Sequence, residues 1–239
     1  MLQKIHIEDI FLDHRSCIDI GLYPVKPPTI VSPARQYNEQ EIPGRDGKFY
    51  EDLETYEDIT LTVEFNFRSR NKKTVDQFFR EYKRTIRKAK VFSKQSDPTV
   101  FYKIKKAEIG ELDRGTSDSI GTFSVDFTFD PYAYLLDGVV PLNYKRATWN
   151  EYDESKPIYI LSGEGMCTLT VNGKSMECNC TDTIYIDTDL ELAYREDKSW
   201  VNQMVKGYYD ELYLIPGKNT ISITQGFDLK VIPNWRYEP

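Results

Sequence analysis

Asp187-x-Asp189-x-Glu191 sets three carboxylates at alternate positions, the way a calcium loop presents its oxygens. The run lacks the glycine and the further ligands of such a loop, so it reads as an acidic strand end. His6 and His14 have no metal-ligand company nearby and read as ordinary histidines. Ser162-Gly163-Glu164-Gly165 has the glycines of a phosphate loop but not its Gly-Lys-Ser/Thr ending or its helix, which leaves a tight turn. Glu51, Asp52 and Glu54 crowd together, yet glycoside hydrolysis needs two carboxylates across a substrate, and this spacing places none. The four cysteines are Cys17, Cys167, Cys178 and Cys180. Cys178-Asn179-Cys180 is not a zinc spacing, and no second Cys-x-x-Cys pair exists. Unpaired, half-buried strand cysteines are expected. A Cys167–Cys178 pair across a hairpin would be geometrically sound but is opposed by a reducing cytoplasm. The expectation is no catalytic residue, no metal and no cofactor.

Binding chemistry is better represented. Trp149 and Trp200 lie in polar stretches, where exposed rings could stack on a saccharide. Trp235, beside Pro233, reads as core. The formal charge is −7, but residues 68–106 hold 14 basic and 3 acidic residues. That basic segment includes Arg80, Lys83, Arg84, Arg87 and Lys88. Helix-turn-helix, zinc and RNA-binding signatures are absent, so contact with an acidic surface of another copy or a neighbour fits better than nucleic-acid binding.

These residues need elements to carry them. Thr74 and Gln77 make a capping box, and Val75, Phe78, Phe79, Tyr82, Ile86 and Ala89 follow at helical spacing. Leu61, Val63, Phe65 and Phe67 alternate along a strand. Strands are also expected at 5–11, 17–22, 100–105 and 121–129, the last ending at Asp130-Pro131-Tyr132. A β-sandwich or rolled sheet covered by one helix satisfies this half. Pro131, Gly138 and Pro141 set a boundary near Leu142, giving domains 1–141 and 142–239. The second half shows strands at 157–161, 166–171, 174–178, 183–187, 212–215, 219–224 and 228–232, with Asn172-Gly173 as a two-residue hairpin turn. This is the pattern of a small all-β sandwich. No apolar stretch reaches the ~20 residues of a membrane span. Met1 to His6 lacks a signal-peptide core, so synthesis without export is expected.

Pro43-Gly44-Arg45-Asp46-Gly47 forms a stiff turn between the extended stretches 29–40 and 48–60, which could pair as a long hairpin arm. This turn, the single helix from Thr74, the Ser96-Asp97-Pro98 turn and the strand ending in Pro131-Tyr132 occur in the order of the distal tail protein family of long-tailed phages of Gram-positive hosts. Ser162 to Gly165, Val171-Asn172-Gly173, Ile215-Pro216-Gly217-Lys218-Asn219 and Ile232-Pro233-Asn234-Trp235-Arg236 extend the resemblance over nearly the whole chain.

The resemblance implies a virion structural protein, not an enzyme. It implies a homohexameric ring at the distal end of the tail tube, joining the tube protein to a tail-fibre or baseplate hub protein, with the genome passing through. It also implies a galectin-like or carbohydrate-binding-module-like second domain. The turn residues 43–47 and the basic helix residues would then be subunit contacts. A carbohydrate-binding protein acting through Trp149 and Trp200, or a related tail-tube or baseplate component, stands as the alternative. No large insertion in the second half supplies an extra receptor-binding module.

Overall fold

A computed structural model describes residues 8–70, 73–114 and 119–239. The chain divides into two compact units, one running to Ala133 and taking in Glu238–Pro239, the other Tyr134–Tyr237.

The first unit contains β1 (Ile10–Leu12), β2 (Arg15–Ser16), β3 (Leu22–Pro24), β4 (Arg35–Glu41), β5 (Lys48–Tyr56), β6 (Ile59–Arg68), α1 (Val75–Lys88), β7 (Val91–Lys94), β8 (Asp97–Ile109) and β9 (Ile120–Leu135). One curled sheet runs in the order β2-β1-β7-β8-β9-β6-β3, while β4 and β5 pair only with each other. Of the two expected forms, the rolled sheet is the one present.

The period-two pattern of β6 buries every second residue, and its partner β9 answers in register. Ile59 lies opposite Phe129, Leu61 opposite Phe127, Val63 opposite Val125 and Phe65 opposite Phe123. Phe67 lies opposite Gly121, where a Cβ would come within 2.5 Å of the Phe67 ring. Glycine here leaves the space that the ring fills. On the polar face Thr62 bonds Asp126 and Thr122 bonds Asn66 across the same two strands.

Helix α1 begins with the expected capping box. The Gln77 N–H donates to Thr74 Oγ1, and the Thr74 N–H donates to Gln77 Oε1. It buries Val75, Phe78, Tyr82 and Ile86, with Tyr82 edge-on to Phe67 and Phe79 against Phe123, both at 5.1 Å between centroids. The helix thus seals the apolar face of β6 and β9.

Four expectations here need correction. Residues 17–21 form a turn instead of a strand, and Leu22 begins β3, because the buried Asp9 carboxylate gathers the Ile10 and Ile18 N–H groups and the Ser16 hydroxyl. The Leu22 N–H returns to the Cys17 carbonyl, and Gly21 takes φ +87°. Of the strand expected at 5–11, residues 5–7 lie outside the described residues, as does His6; Ile10–Leu12 is strand. β9 continues past Pro131 to Leu135, since the last β6 partner is opposite Phe129 and proline is tolerated where a neighbouring strand has ended. The turn near Pro98 is Gln95-Ser96, with Lys94 paired to Asp97.

The second unit holds β10 (Leu142–Asn143), β11 (Trp149–Asn150), β12 (Ile158–Ser162), β13 (Gly165–Val171), β14 (Lys174–Cys180), β15 (Thr183–Asp187), β16 (Leu192–Tyr194), β17 (Val205–Lys206), β18 (Gly217–Lys218), β19 (Ile221–Ile223), β20 (Asp228–Ile232) and β21 (Arg236–Tyr237). A five-stranded sheet, β10-β20-β12-β15-β16, and a four-stranded sheet, β17-β14-β13-β19, share one core. Tyr159, Leu161, Ile184 and Val231 come from the first sheet; Leu169, Val171, Met176 and Cys178 come from the second. This is a β-sandwich, with Gly163 and Glu164 turning the chain from one sheet to the other.

Asn172 and Gly173 take φ +49° and +82°, the left-handed pair of a two-residue hairpin turn. Asn172 also donates its side-chain amide to Asn219 Oδ1 at 2.8 Å, and buried Asn219 donates to the Ile215 and Gly217 carbonyls. The two asparagines tie the Val171-Asn172-Gly173 and Ile215-to-Asn219 motifs into one knot. Residues 212–215 are not a strand. Asp210–Leu212 is a 3-10 turn, and Leu214 makes one isolated bridge to Ser155.

All four cysteines are unpaired, and all are fully rather than half buried. Cys17 sits in the Asp9 turn, not on a strand. Cys167 lies directly opposite Cys178, with its sulfur 3.6 Å from that of Cys180. Burial pushes the Cys17 and Cys180 thiols up to about 12 and Cys178 higher still. An exposed thiol in the unfolded chain titrates near ~8.5, so the unfolded state loses protons first. Stability from these neutral thiols is therefore present at neutral pH and declines above about pH 9. Urea unfolding across that range checks the fall, and alkylation at about pH 8 should modify the thiols only after unfolding.

Gly121→Ala forces a methyl against Phe67 and Val75. It should lower the unfolding free energy by about 1–3 kcal/mol, the usual cost of overpacking. An unchanged thermal midpoint would show that the ring moves aside freely.

Candidate functional site

The residues with the strongest claim to function lie on β4 and β5. Opposite residues of an antiparallel pair share a face. One face carries Tyr37 opposite Asp52, Glu39 opposite Tyr50 and Glu41 opposite Lys48; the other carries Asn38 opposite Glu51 and Gln40 opposite Phe49. Both faces are in solvent. Tyr37, Phe49, Tyr50 and Leu53 are each about half exposed, at 48–56%. A two-stranded ribbon alone is marginal in water. This one is supported along its length by a Lys48–Glu39 ion pair at 2.6 Å and an edge-on Tyr37–Tyr50 contact at 6.2 Å.

The far end is the Pro43-to-Gly47 turn. Gly44 and Gly47 take φ +81° and +80°, and the Arg45 N–H donates to the Ile42 carbonyl at 3.2 Å. All five turn residues are exposed. The Arg45 and Asp46 side chains make no hydrogen bond or ion pair with a described residue.

The near end is fixed by residues distant in sequence. The Glu57 N–H donates to the Ala34 carbonyl. The Tyr56 hydroxyl donates to the Glu238 carboxylate at 2.9 Å, which raises the phenol pKa, and Tyr56 packs edge-on to Tyr132. Ser32 donates to the Pro239 oxygen at 2.6 Å. Just above, two steps on β4 from Arg35 to Tyr37 match four on β5 from Tyr56 to Asp52. This bulge bends the ribbon. Glu54 takes φ +56° within it and donates its N–H to Asp52 Oδ1. That bond and the Arg35 guanidinium hold the Asp52 carboxyl below its usual range. Sequence reasoning marked the arm but missed this latch, for which a separation of 182 residues leaves no local signal.

The basic residues of α1 are a second surface. Arg80, Arg84, Arg87 and Lys88 are exposed, and Lys83 lies over the Phe79 ring at 4.6 Å. None of the five makes an ion pair with a described residue. Elsewhere on and beside the helix, Lys73 pairs Glu81 and Arg114 pairs Asp76. The helix thus keeps one unpaired cationic stripe.

The remaining candidates disperse. Trp149 on β11 and Trp200 beside β16 are 59% and 74% exposed and stand on different sheets, while Trp235 is buried. Asp187 Oδ1 accepts from the Asp189 and Leu190 N–H groups, and Asp189 pairs Lys156. These carboxylates hold a turn. Among the described residues no group of three His, Cys, Asp or Glu side chains is placed to hold a metal, and no helix is long and apolar enough to cross a membrane.

Residues 17–129 match the family model of the phage tail protein RIFT-related domain. The first part of the chain is thus similar to a phage tail domain. The whole fold is similar to the crystal structure of SPP1 Dit (gp 19.1), described as a paradigm of the hub adsorption apparatus in Gram-positive infecting phages. That match has 13% identity, covers 97% of this chain and 99% of that one, and has a TM-score of 0.57. The distal tail protein resemblance seen in the motifs thus has support from both a domain and a fold. No curated protein matches the chain.

If the Tyr56–Glu238 bond latches the arm, Tyr56→Phe should speed tryptic cleavage at Arg45 and Lys48 several-fold. The global melting temperature should stay put, because the bond is exposed and local. An unchanged cleavage rate would refute the latch.

Proposed function

We propose that this chain, with a phage tail domain in its first unit, is a structural hub. Six copies would form a ring at the distal end of the tail tube. The ring would join the tube protein to the tail-fibre or baseplate hub protein and let the genome pass. The observation that carries this reading is the β4–β5 ribbon, an exposed element with aromatic rings on both faces whose strands pair only with each other. Such a ribbon needs a surface to lie on, and a second copy supplies one. Head-to-tail contacts then follow, since each copy offers an arm and receives one, and such contacts close into rings.

Charge supports the same arrangement. Residues 1–67 hold 13 acidic and 6 basic residues, whereas 68–106 hold 14 basic and 3 acidic. The cationic stripe of α1 has no ion-pair partner among the described residues, and an acidic surface of a neighbour would complement it. The fold similarity and the phage tail domain agree with a structural role, in which neither surface needs a reacting group.

Light scattering on the purified protein should give six subunits or a multiple of six. Gly47→Val places a β-branched residue at φ +80°, where it is strongly disfavoured, though the space around the site is open. The monomer should fold normally and the ring should be lost or weakened. Raising salt from ~0.1 to ~1 M shortens the Debye length from ~10 to ~3 Å and should weaken any ring held by the charged surfaces. A strict monomer at every concentration, or a Gly47→Val ring of normal stability, would refute the arm's role.

A further inference from the structure

One flank of α1 borders a pocket that the fold itself does not use. Leu12 of β1 and Cys17 and Ile20 of the Asp9 turn line it from one side, and Phe78 and Tyr82 from the other, around a volume of about 220 Å³. Tyr82 is held in place by its hydroxyl, which donates to the Ile20 carbonyl at 3.1 Å. Arg15, Glu81 and Thr85 complete the lining and are exposed. Glu81 is paired with Lys73 at 2.7 Å, whereas Arg15 makes no ion pair with a described residue. On the helix, Arg84 stands three residues after Glu81 and Lys88 three after Thr85, which makes them neighbours of the rim. The pocket is therefore apolar inside and cationic around its mouth. Its volume falls below the about 300–1,000 Å³ of small-ligand sites and suits one large side chain with a carboxylate close by.

The ribbon carries such a piece on one of its two faces. On the first face Glu39 pairs Lys48, Asp52 pairs Arg35 and Tyr37 meets Tyr50, so these groups have partners already. On the second, Phe49 is half exposed, and Glu51, two residues along β5, has the neutral Asn38 amide at 3.3 Å and no cation. Positions two apart on a strand point the same way. The ribbon as a whole is acidic: residues 35–57 hold 7 acidic and 3 basic residues. Building on the ring reading above, we infer that the Phe49 ring of one copy seats in this pocket of the next, with Glu51 brought to the cationic rim. Seating takes the ring out of water, and an aromatic anchor in a pocket is the kind of contact that carries most of an interface's energy. The carboxylate against Arg15 and Arg84 fixes register and rejects neighbours of the wrong charge. Ribbon and pocket are different surfaces of one chain, so each copy gives one and receives one. The cationic stripe by itself would accept any acidic surface; the pocket selects a side chain.

The test uses two full-length variants. Phe49→Ala removes the anchor, and Thr85→Tyr sets a ring over the mouth of the pocket. Both positions are exposed, and melting curves check that each variant folds. Arg84→Glu is a second way to disable the rim and should behave as Thr85→Tyr does. Each variant alone should assemble about tenfold or more weakly than the wild type. The two are then mixed one to one, at the highest concentration at which each alone stays monomeric, and native mass spectrometry counts the subunits. The mixture should give a heterodimer and stop there. The intact pocket of the Phe49→Ala copy takes the ribbon of the Thr85→Tyr copy, and no other competent pair remains. If the wild type forms its ring and the variants assemble as well as it does, the seat is overturned and the ring reading stands. A mixture that stays monomeric, or one that builds full rings, overturns the seat in the same way. A wild type that is monomeric at every concentration overturns both.

Discussion

The register between β6 and β9 is the constraint on which the first unit rests. A shift of one residue would turn Leu61, Val63, Phe65 and Phe67 to the polar face and bring Thr62 and Asn66 inward. Several contacts fix the register at once. Phe67 fits only opposite Gly121, Thr62 meets Asp126, and Asn66 meets Thr122. Helix α1 can seat Phe79 on Phe123 and Tyr82 on Phe67 only if those two rings stand side by side. The cap at Thr74 fixes where the helix starts, so the direction of its cationic stripe follows from the same pairing.

That rigid sheet makes an unsupported arm tolerable. The ribbon contributes little to the core, and its rings remain in water. Its direction comes from its base, where the bulge at Leu53 to Thr55 bends it and Tyr56, Glu238, Ser32 and Pro239 hold it. The tip is shaped by two glycines with open space around them, so its form comes from backbone freedom and not from packing. The division fits an element whose contacts lie on another molecule.

Strictly periodic or locally capped features were legible in the sequence. The β6 alternation, the Thr74 capping box, the Asn172-Gly173 hairpin and the strands at 183–187 and 228–232 all carry their signal within a few residues. Features that depend on a distant partner were not legible. Residues 17–22 have strand-like composition, but Asp9 draws 17–21 into a turn. Residues 212–215 read as a strand, yet the chain there is organised by Asn219 and by one bridge to Ser155. The arm was legible from its turn, and its latch was not. Trp200 was singled out for its setting, whereas its alignment with Tyr194 and Tyr185 needed the pairing of β15 with β16.

The latch also sets an order of events during synthesis. Domains fold as they leave the ribosome, first unit before second. Here Tyr56 emerges early, but Glu238 and Pro239 emerge only after every strand of the sandwich. A nascent chain therefore carries an arm with an unfinished base for as long as the second unit is being made. Completing the sandwich delivers the two residues that secure it. A copy truncated within the second unit would keep the ladder and the helix but lack the fastening for its arm.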